Sequence, residues 1–206
     1  MRSFSSLMGA QTLLPIIQAE TAEEGLNIAK AMGAAGIKLV EVVLRTPASY
    51  DAITLIKKEL PEMVVGAGTI LDEAILDKAL AAGSDFIITP ATSAKLYDIL
   101  AKCPVPVVPG VSTAADILRA YENGYTEIKL FPASLSGGVA FLKAMSSVFQ
   151  TIKFCPTGGI NAKNKAEFLS LDNVIAVGGT WVADKKWVES EDWAAITAAC
   201  QKAESH

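Results

Sequence analysis

Short apolar runs alternate with alanine-rich, helix-like stretches along the whole chain. Eight runs have the length and β-branched content of buried strands, at residues 13–19, 37–44, 63–67, 86–89, 105–108, 127–130, 152–155 and 174–177. Turn residues and a helix-like stretch follow each run. Glycines at positions 36, 83 and 124 stand where the helical stretches before the second, fourth and sixth runs would end. The pattern predicts a repeating unit of one strand and one helix.

Eight such units favour a closed barrel over an open sheet. A doubly wound parallel sheet is the alternative, but it usually has fewer strands. We predict an α/β fold that is a single (β/α)8 TIM barrel, one domain over residues 1–206, with a short N-terminal helix before the first strand. The active sites of such barrels lie at the carboxyl ends of the strands. The last residues of each run and the following loop are therefore the first candidates for function.

The chain is unusually hydrophobic for one without a membrane segment. It is 51% hydrophobic and its mean hydropathy is +0.36. Charged or polar residues nevertheless interrupt every apolar stretch before the roughly 18 residues that a membrane helix needs. We expect the apolar surface to be buried inside the protein or between subunits. The first ten residues lack the long apolar segment of a secretory signal, so the expected location is the cytoplasm.

Charge and residue counts exclude several classes of function. A net charge of −4 and a few scattered lysines leave no basic face for nucleic acid. Cys103, Cys155 and Cys200 form no C-x-x-C pair and are odd in number, which indicates reduced thiols and not metal ligands. The only histidine is the last residue, His206, so we expect neither a histidine acid or base nor a metal site.

Lys129 is the most informative residue, because it lies in an otherwise apolar strand. Residues 127–132 read Glu-Ile-Lys-Leu-Phe-Pro, and strand geometry puts Glu127, Lys129 and Phe131 on one face. Burial favours the neutral amine, whose lone pair can attack a carbonyl. The alternative is a structural lysine whose ammonium group reaches water at the strand end.

The second strand supplies two further charges on one face, Glu41 and Arg45. A carboxylate in an apolar strand can transfer protons where histidine is absent, and the planar arginine side chain suits a substrate carboxylate. The alternative is a structural ion pair between Glu41 and either Arg45 or Lys129.

Two more candidates follow the third and fourth strands. Thr69 ends Gly-Ala-Gly-Thr at 66–69, where the glycines allow close backbone approach and the threonine brings a hydroxyl group to the rim. Thr69 could instead cap the next helix, although Asp72 is the more natural cap. Pro90 ends the fourth strand sharply and is expected to form a pocket wall.

Glycine clusters follow the last two strands. Residues 157–161 read Thr-Gly-Gly-Ile-Asn, and residues 178–180 read Gly-Gly-Thr. Loops at these places in a barrel commonly bind phosphate through exposed backbone N–H groups. Tight turns without a ligand are the alternative. The Gly137-Gly138 pair is expected to start a helix.

Taken in order, these motifs resemble one known family. The segments are Leu-Val-Glu-Val-Val-Leu-Arg-Thr at 39–46, Gly-Ala-Gly-Thr at 66–69, Lys-Leu-Phe-Pro-Ala at 129–133, Phe-Cys-Pro-Thr-Gly-Gly-Ile at 154–160 and Gly-Gly-Thr-Trp at 178–181. Together they span nearly the whole chain. The sequence resembles the 2-keto-3-deoxy-6-phosphogluconate (KDPG) / 4-hydroxy-2-oxoglutarate aldolases.

The resemblance implies a class I aldolase that cleaves KDPG to pyruvate and glyceraldehyde 3-phosphate, and that can also act on 4-hydroxy-2-oxoglutarate. It implies that Lys129 forms a Schiff base and that Glu41 is the general acid and base. No metal or organic cofactor is then required, and a homotrimer is common in the family. The implied substrate-binding residues are Arg45 and Thr69 for the pyruvate carboxylate, Phe131 near the imine, and Gly158, Gly159, Gly179 and Thr180 for the phosphate. Pro90 is kept as the expected pocket wall.

The sequence also departs from the family pattern. Thr180 replaces a usual serine, residues 89–91 read Thr-Pro-Ala where Ser-Pro-Gly is usual, and Ser134 stands where an acidic residue is frequent. The alternatives are a phosphogalactonate aldolase, which cleaves the C4 epimer, a phosphosugar isomerase or epimerase, and a phosphosugar-binding barrel without catalysis.

Overall fold

A computed structural model describes residues 3–204. The strands are β1 (Leu13–Ile17), β2 (Leu39–Val43), β3 (Val64–Gly68), β4 (Phe86–Ile88), β5 (Val107–Val108), β6 (Gly110–Val111), β7 (Glu127–Leu130), β8 (Lys153–Phe154) and β9 (Val177–Gly179). The helices are α1 (Phe4–Met8), α2 (Ala22–Ala34), α3 (Ala48–Glu59), α4 (Glu73–Ala81), α5 (Ala94–Leu100), α6 (Ala114–Glu122), α7 (Gly138–Ser146), α8 (Lys165–Leu169), α9 (Lys185–Glu189) and α10 (Trp193–Glu204). The single histidine, His206, lies outside the described residues.

The strands pair in parallel in two sheets. One sheet has the order β5-β4-β3-β2-β1-β9 and the other has the order β6-β7-β8. Only Pro109 separates β5 from β6, and its carbonyl group accepts the N–H of Lys129 at 2.9 Å. On the other side, Gly178 N–H donates to the Pro156 carbonyl at 2.8 Å. The predicted α/β fold of parallel strands and helices is confirmed.

Three strand predictions need correction. The last strand is Val177–Gly179 and not residues 174–177, so Gly178 and Gly179 belong to the strand that they were expected to follow. The predicted strand at 105–108 is observed as the short segments β5 and β6, because proline at 109 has no N–H to donate to the ladder. The third strand also runs further than predicted, through Gly68.

The helix signals are largely as expected. Gly36, Gly83 and Gly124 all have positive φ angles, of 89°, 96° and 82°, which explains glycine at these helix ends. Gly137 has a φ of 94° and directly precedes α7, as predicted for the Gly-Gly pair. Across residues 3–204, no helix has the length and apolar character needed to span a membrane.

The apolar core has two parts around the strands. One part lies between the strands and the helices. The other is a compact cluster in which α1 contributes Phe4 and Met8 and the strand region contributes Leu14, Leu39, Phe86, Ile88, Val108, Cys155 and Ala176. We call this second part the floor cluster. All three cysteines are buried free thiols.

Candidate active site

Lys129 and Glu41 form a buried ion pair between β7 and β2. Lys129 Nζ lies 3.3 Å from Glu41 Oε1, and the two residues are 5% and 0% exposed. Ile128 and Leu130 take the opposite face of β7 and are fully buried in the helix-facing core. The amine is therefore paired inside the protein and does not extend into bulk water at the strand end. The pairing predicted as one alternative for Glu41 is the one observed.

A glycine provides the space that the Glu41 carboxylate occupies. Gly68 lies beside Val43 in the parallel register of β2 and β3, and a Cβ atom there would overlap Glu41 Oε1. The other oxygen, Glu41 Oε2, is buried and has no hydrogen-bond partner among residues 3–204. An unpaired buried carboxylate oxygen is costly and is commonly found where a group takes part in chemistry.

The lysine opens into a cavity of about 180 Å³ at the carboxyl ends of the strands. All eight predicted binding residues line it, together with Lys129, and they are Arg45, Thr69, Pro90, Phe131, Gly158, Gly159, Gly179 and Thr180. Glu41 is not a lining residue but contacts the cavity's lysine. The structure thus brings the ten predicted site residues together.

The sequence reasoning missed five lining residues, which are Ile16, Gln18, Val43, Thr157 and Ile160. Gln18 directly follows β1, so the rule that selects carboxyl ends of strands could have identified it. Thr157 begins the Thr-Gly-Gly-Ile-Asn segment, in which only the glycines are predicted to bind phosphate. Its side chain is buried and lies beside Gly178, where a Cβ atom would overlap Thr157 Oγ1.

Thr69 has a backbone conformation that is rare for its side chain. Its φ angle is 71°, in the left-handed region that a β-branched residue seldom adopts. Asp72, and not Thr69, caps α4, because Asp72 Oδ1 accepts the N–H of Ile75 at 2.8 Å. Thr69 is therefore free of the capping role, and such strain is characteristic of functional sites.

The cavity has two chemically different sides. Arg45 is on one side and forms no ion pair with any of residues 3–204. On the other side, Gly158 and Gly159 have φ angles of 94° and 79°. Within the described part of the chain, no acceptor takes the N–H groups of Gly158, Gly159 or Thr180. One side offers a guanidinium group and the other offers backbone donors, so both can bind an anion.

Cys155 lies within electrostatic range of the ion pair. Burial raises the pKa of its thiol to about 12, while Lys129 lowers that pKa and Glu41 raises it by smaller amounts. The thiol is therefore neutral at ordinary pH and is no nucleophile. Among residues 3–204 no cluster of three or more histidine, cysteine, aspartate or glutamate side chains is arranged to hold a metal ion.

Comparison with known proteins identifies the family. The family model described as "KDPG and KHG aldolase" matches residues 5–199. The chain belongs to the KDPG and KHG aldolase family. A 2-dehydro-3-deoxy-phosphogluconate aldolase of Pseudomonas aeruginosa is 40% identical over 191 residues, which cover 93% of this chain and 87% of that protein.

Two solved structures of the family are similar to this chain over nearly its full length. One is a KDPG aldolase from Legionella pneumophila, solved with pyruvate captured at low pH as a covalent carbinolamine intermediate. Its TM-score is 0.94 and its sequence identity is 37%, and the match covers 98% of this chain and 98% of that one. A 2-keto-3-deoxy-6-phosphogluconate aldolase from Zymomonas mobilis with 3-phosphoglycerate has a TM-score of 0.91 and 38% identity, covering 100% of this chain and 96% of that one. The predicted family is confirmed.

Proposed function

We propose that this protein is a class I aldolase that cleaves KDPG to pyruvate and glyceraldehyde 3-phosphate. The observation that carries the proposal is the buried Lys129–Glu41 pair at 3.3 Å, open to a cavity with an anion-binding group on each side. A 2-keto acid phosphate has a carboxylate at one end, a ketone beside it and a phosphate at the other end. That order matches Arg45, Lys129 and the glycine loops.

The reaction begins at the amine. Lys129 passes a proton to the Glu41 carboxylate, and its neutral nitrogen then attacks the C2 ketone and forms a carbinolamine, which loses water to give an imine. Protonated, this imine accepts the electron pair of the C3–C4 bond when that bond breaks. Phe131 lies next to the reacting nitrogen, with its ring centroid 5.4 Å from Lys129 Nζ, and forms the apolar wall there.

Glu41 is the group that moves protons. It donates a proton to the carbinolamine hydroxyl group as water leaves, and it removes the proton of the C4 hydroxyl group as the C3–C4 bond breaks. Its Oε1 contacts Lys129, while Oε2 has no partner among the described residues and is available for substrate. Glyceraldehyde 3-phosphate leaves first. The remaining enamine takes a proton at C3 and is hydrolysed to pyruvate, which frees the lysine.

The two ends of the substrate are held by different chemistry. Arg45 and the Thr69 hydroxyl group bind the carboxylate next to the ketone, and Pro90 limits the cavity beside them. The phosphate binds to Gly158, Gly159, Gly179 and Thr180. The Legionella protein holds pyruvate and the Zymomonas protein was solved with 3-phosphoglycerate, and these ligands correspond to the two ends.

A second substrate is 4-hydroxy-2-oxoglutarate, which the family description includes under the abbreviation KHG. It carries the same carboxylate and ketone, so the Lys129 imine would form in the same way and release glyoxylate. We expect slower turnover, because its chain ends in a carboxylate at C5, short of the position that the C6 phosphate of KDPG would occupy, so the glycine loops would not hold that end.

We further infer that the two sheets close into one (β/α)8 barrel that forms a single domain over residues 1–206. The hydrogen bonds across Pro109 and between Gly178 and Pro156 support closure. The protein is proposed to act as a homotrimer in the cytoplasm, without a metal or organic cofactor. Exposed apolar side chains such as Leu71, Leu118 and Tyr121 support burial between subunits.

Borohydride reduction in the presence of pyruvate tests the function directly, because only an imine is trapped as a stable amine. Peptide mapping is expected to place the adduct on Lys129, and Lys129→Ala is the unlabelled control. Cleavage is then compared on KDPG and its C4 epimer. A folded protein that gives no adduct and releases no pyruvate would contradict the aldolase assignment and favour an isomerase.

A further inference from the structure

Three residues in or directly after β7 share its inner face, and they are Glu127, Lys129 and Phe131. Phe131 and Lys129 line the cavity, and Glu127 lies two residues earlier on the same face, toward the amino end of the strand. The Glu127 carboxylate accepts the N–H of Phe4 at 2.7 Å and the N–H of Ser5 at 3.2 Å. One strand thus carries both the reactive amine and the anchor of α1.

The N-terminal helix forms one end of the floor cluster. Phe4 and Met8 are 1% and 5% exposed, and the Phe4 and Phe86 rings lie 5.4 Å apart between centroids. The Phe86 ring fills the space where Gly66 would carry a Cβ atom, and Gly66 is the direct neighbour of Glu41 in the β2–β3 register. Apolar contacts therefore continue from α1 to the backbone beside the catalytic carboxylate.

The thiol of Cys155 connects the same cluster to the ion pair from the other side. Cys155 is fully buried, belongs to the floor cluster and interacts electrostatically with both Lys129 and Glu41. Cys155 thus brings a member of the floor cluster within electrostatic range of the pair. Loss of the apolar packing on the α1 side would admit water near Glu41, whose Oε2 atom is buried and has no hydrogen-bond partner among residues 3–204.

We propose that α1, held by Glu127, is the floor of the active site and excludes water from below the Lys129–Glu41 pair. Removing water strengthens the interaction between the two charges and fixes their separation. Glu127 and Phe4 are positioning residues that act through this pair and touch no substrate. The inference rests on the aldolase function and adds a dependence of its chemical step on the N-terminal helix.

The test uses a reaction that needs the pair but not the glycine loops. In deuterated water the pyruvate imine loses a C3 proton to the Glu41 carboxylate, and the C–H electron pair forms the enamine. A deuteron then returns to C3, so the pyruvate methyl group gains deuterium at a rate that mass spectrometry follows. The same variants are assayed for kcat and KM on KDPG and for competition by inorganic phosphate.

The informative variant is Glu127→Gln, and the matched control is Glu204→Gln. Glu204 also accepts backbone N–H groups next to a strand start, from Leu13 at 2.7 Å and Thr12 at 3.4 Å, but it does not contact α1. We expect Glu127→Gln to slow deuterium incorporation and kcat about 10-fold while KM and phosphate competition stay within about 2-fold. Glu204→Gln is expected to lower the Tm without slowing incorporation.

Two substitutions of Phe4 give an independent measure. Phe4→Leu keeps an apolar side chain and is expected to retain most of the exchange rate, whereas Phe4→Ala opens the floor and loses more of it. If Glu127→Gln and Phe4→Ala fold and both exchange at the wild-type rate, α1 is only structural and the proposal is wrong. If the wild-type protein neither exchanges nor is trapped by borohydride, the aldolase function itself fails.

Discussion

The space on the inner faces of the strands has two halves, a lower one toward α1 and an upper one at the carboxyl ends of the strands. The same strands form both halves, which differ in polarity and in packing. In the lower half, the floor cluster is apolar, and each of its buried members is at most 5% exposed. In the upper half, glycines, threonines and charged groups surround a cavity of about 180 Å³. Along β2 the inward residue changes from Leu39 to Glu41, and at β9 it changes from Ala176 to Gly178.

The difference shows how one set of strands combines stability with chemistry. Large apolar side chains fill the lower half, so its packing stabilises the fold. Glycines in the upper half leave the space that substrate and the Glu41 carboxylate need. Substitutions in the upper half should therefore change catalysis more than stability.

The largest expected effect is that of Lys129→Ala. Cleavage should fall by more than about a thousandfold, because Lys129 is the one lysine among the described residues that line the cavity. The fold should remain intact, because the floor cluster does not include Lys129. Pyruvate release and circular dichroism measure the two properties.

The matched control for this change is Lys153→Ala. Lys153 lies on the neighbouring strand β8 and donates to the Asp172 carbonyl at 2.9 Å, away from the cavity. This variant should keep its activity. Activity above a few per cent of wild type in Lys129→Ala would remove the lysine from the mechanism.

The next effect is that of Gly68→Ala, which tests the space beside the carboxylate. The new methyl group would overlap Glu41 Oε1 and displace it from Lys129. We expect kcat to fall about 100-fold, because a displacement of about 1 Å is enough for such a loss. Gly33→Ala on α2 is the control, since the nearest atom to its new methyl group is Met63 Cε at 3.4 Å. Equal kcat values in the two variants would show that Glu41 does not need this position.

A smaller effect is expected for Arg45→Lys, which keeps the positive charge but removes the planar guanidinium group that can donate two hydrogen bonds to a carboxylate. The KM for KDPG and the inhibition constant of pyruvate should rise about 10-fold, while kcat changes little. Arg119→Lys on the exposed face of α6 is the control and should change neither constant. A loss confined to kcat would mean that Arg45 acts in the chemical step and not in carboxylate binding.

The sequence predicted more of the upper half than of the lower half, for physical reasons. Period-two alternation fixed the inward direction of Glu41, Arg45 and Lys129, and the carboxyl-end rule located the loops that carry Thr69 and Gly159. These features depend on local geometry. The distance between the Lys129 and Glu41 side chains depends on how two strands are placed in the fold. The two residues are 88 positions apart in sequence, so no local sequence pattern predicts that distance.

The errors have the same origin. The last strand was placed on the apolar residues 174–177, but the structure pairs Val177, Gly178 and Gly179 with β1 because tertiary contacts override strand propensity. The role of Gly68 follows from a side chain on another strand. The contact of Glu127 with α1 joins residues 123 positions apart, so the floor of the site became visible only in the folded structure.

The last prediction concerns the pH dependence of stability and involves Cys155, a member of the floor cluster within electrostatic range of the Lys129–Glu41 pair. Burial raises the pKa of Cys155 and of Cys200 from the ordinary value of 9.0 to about 12. Between these values the folded protein keeps protons that the unfolded chain has released. The contribution of these thiols to the free energy of unfolding should therefore be fully present below pH 9 and be lost as the pH rises from 9 toward 12. The loss is at most about 1.4 kcal/mol per pH unit for each thiol.

Urea unfolding at several pH values between 8 and 11 measures this slope. Burial also raises the pKa of Tyr97 to about 12 and raises the pKa values of Cys103 and Tyr125, so the wild-type slope is a sum. The difference between wild type and Cys155→Ala isolates one thiol, because the variant has no proton to release there. The variant should lose stability less steeply with pH. Parallel slopes would mean that Cys155 ionises in the folded protein and that the region below the Lys129–Glu41 pair admits water.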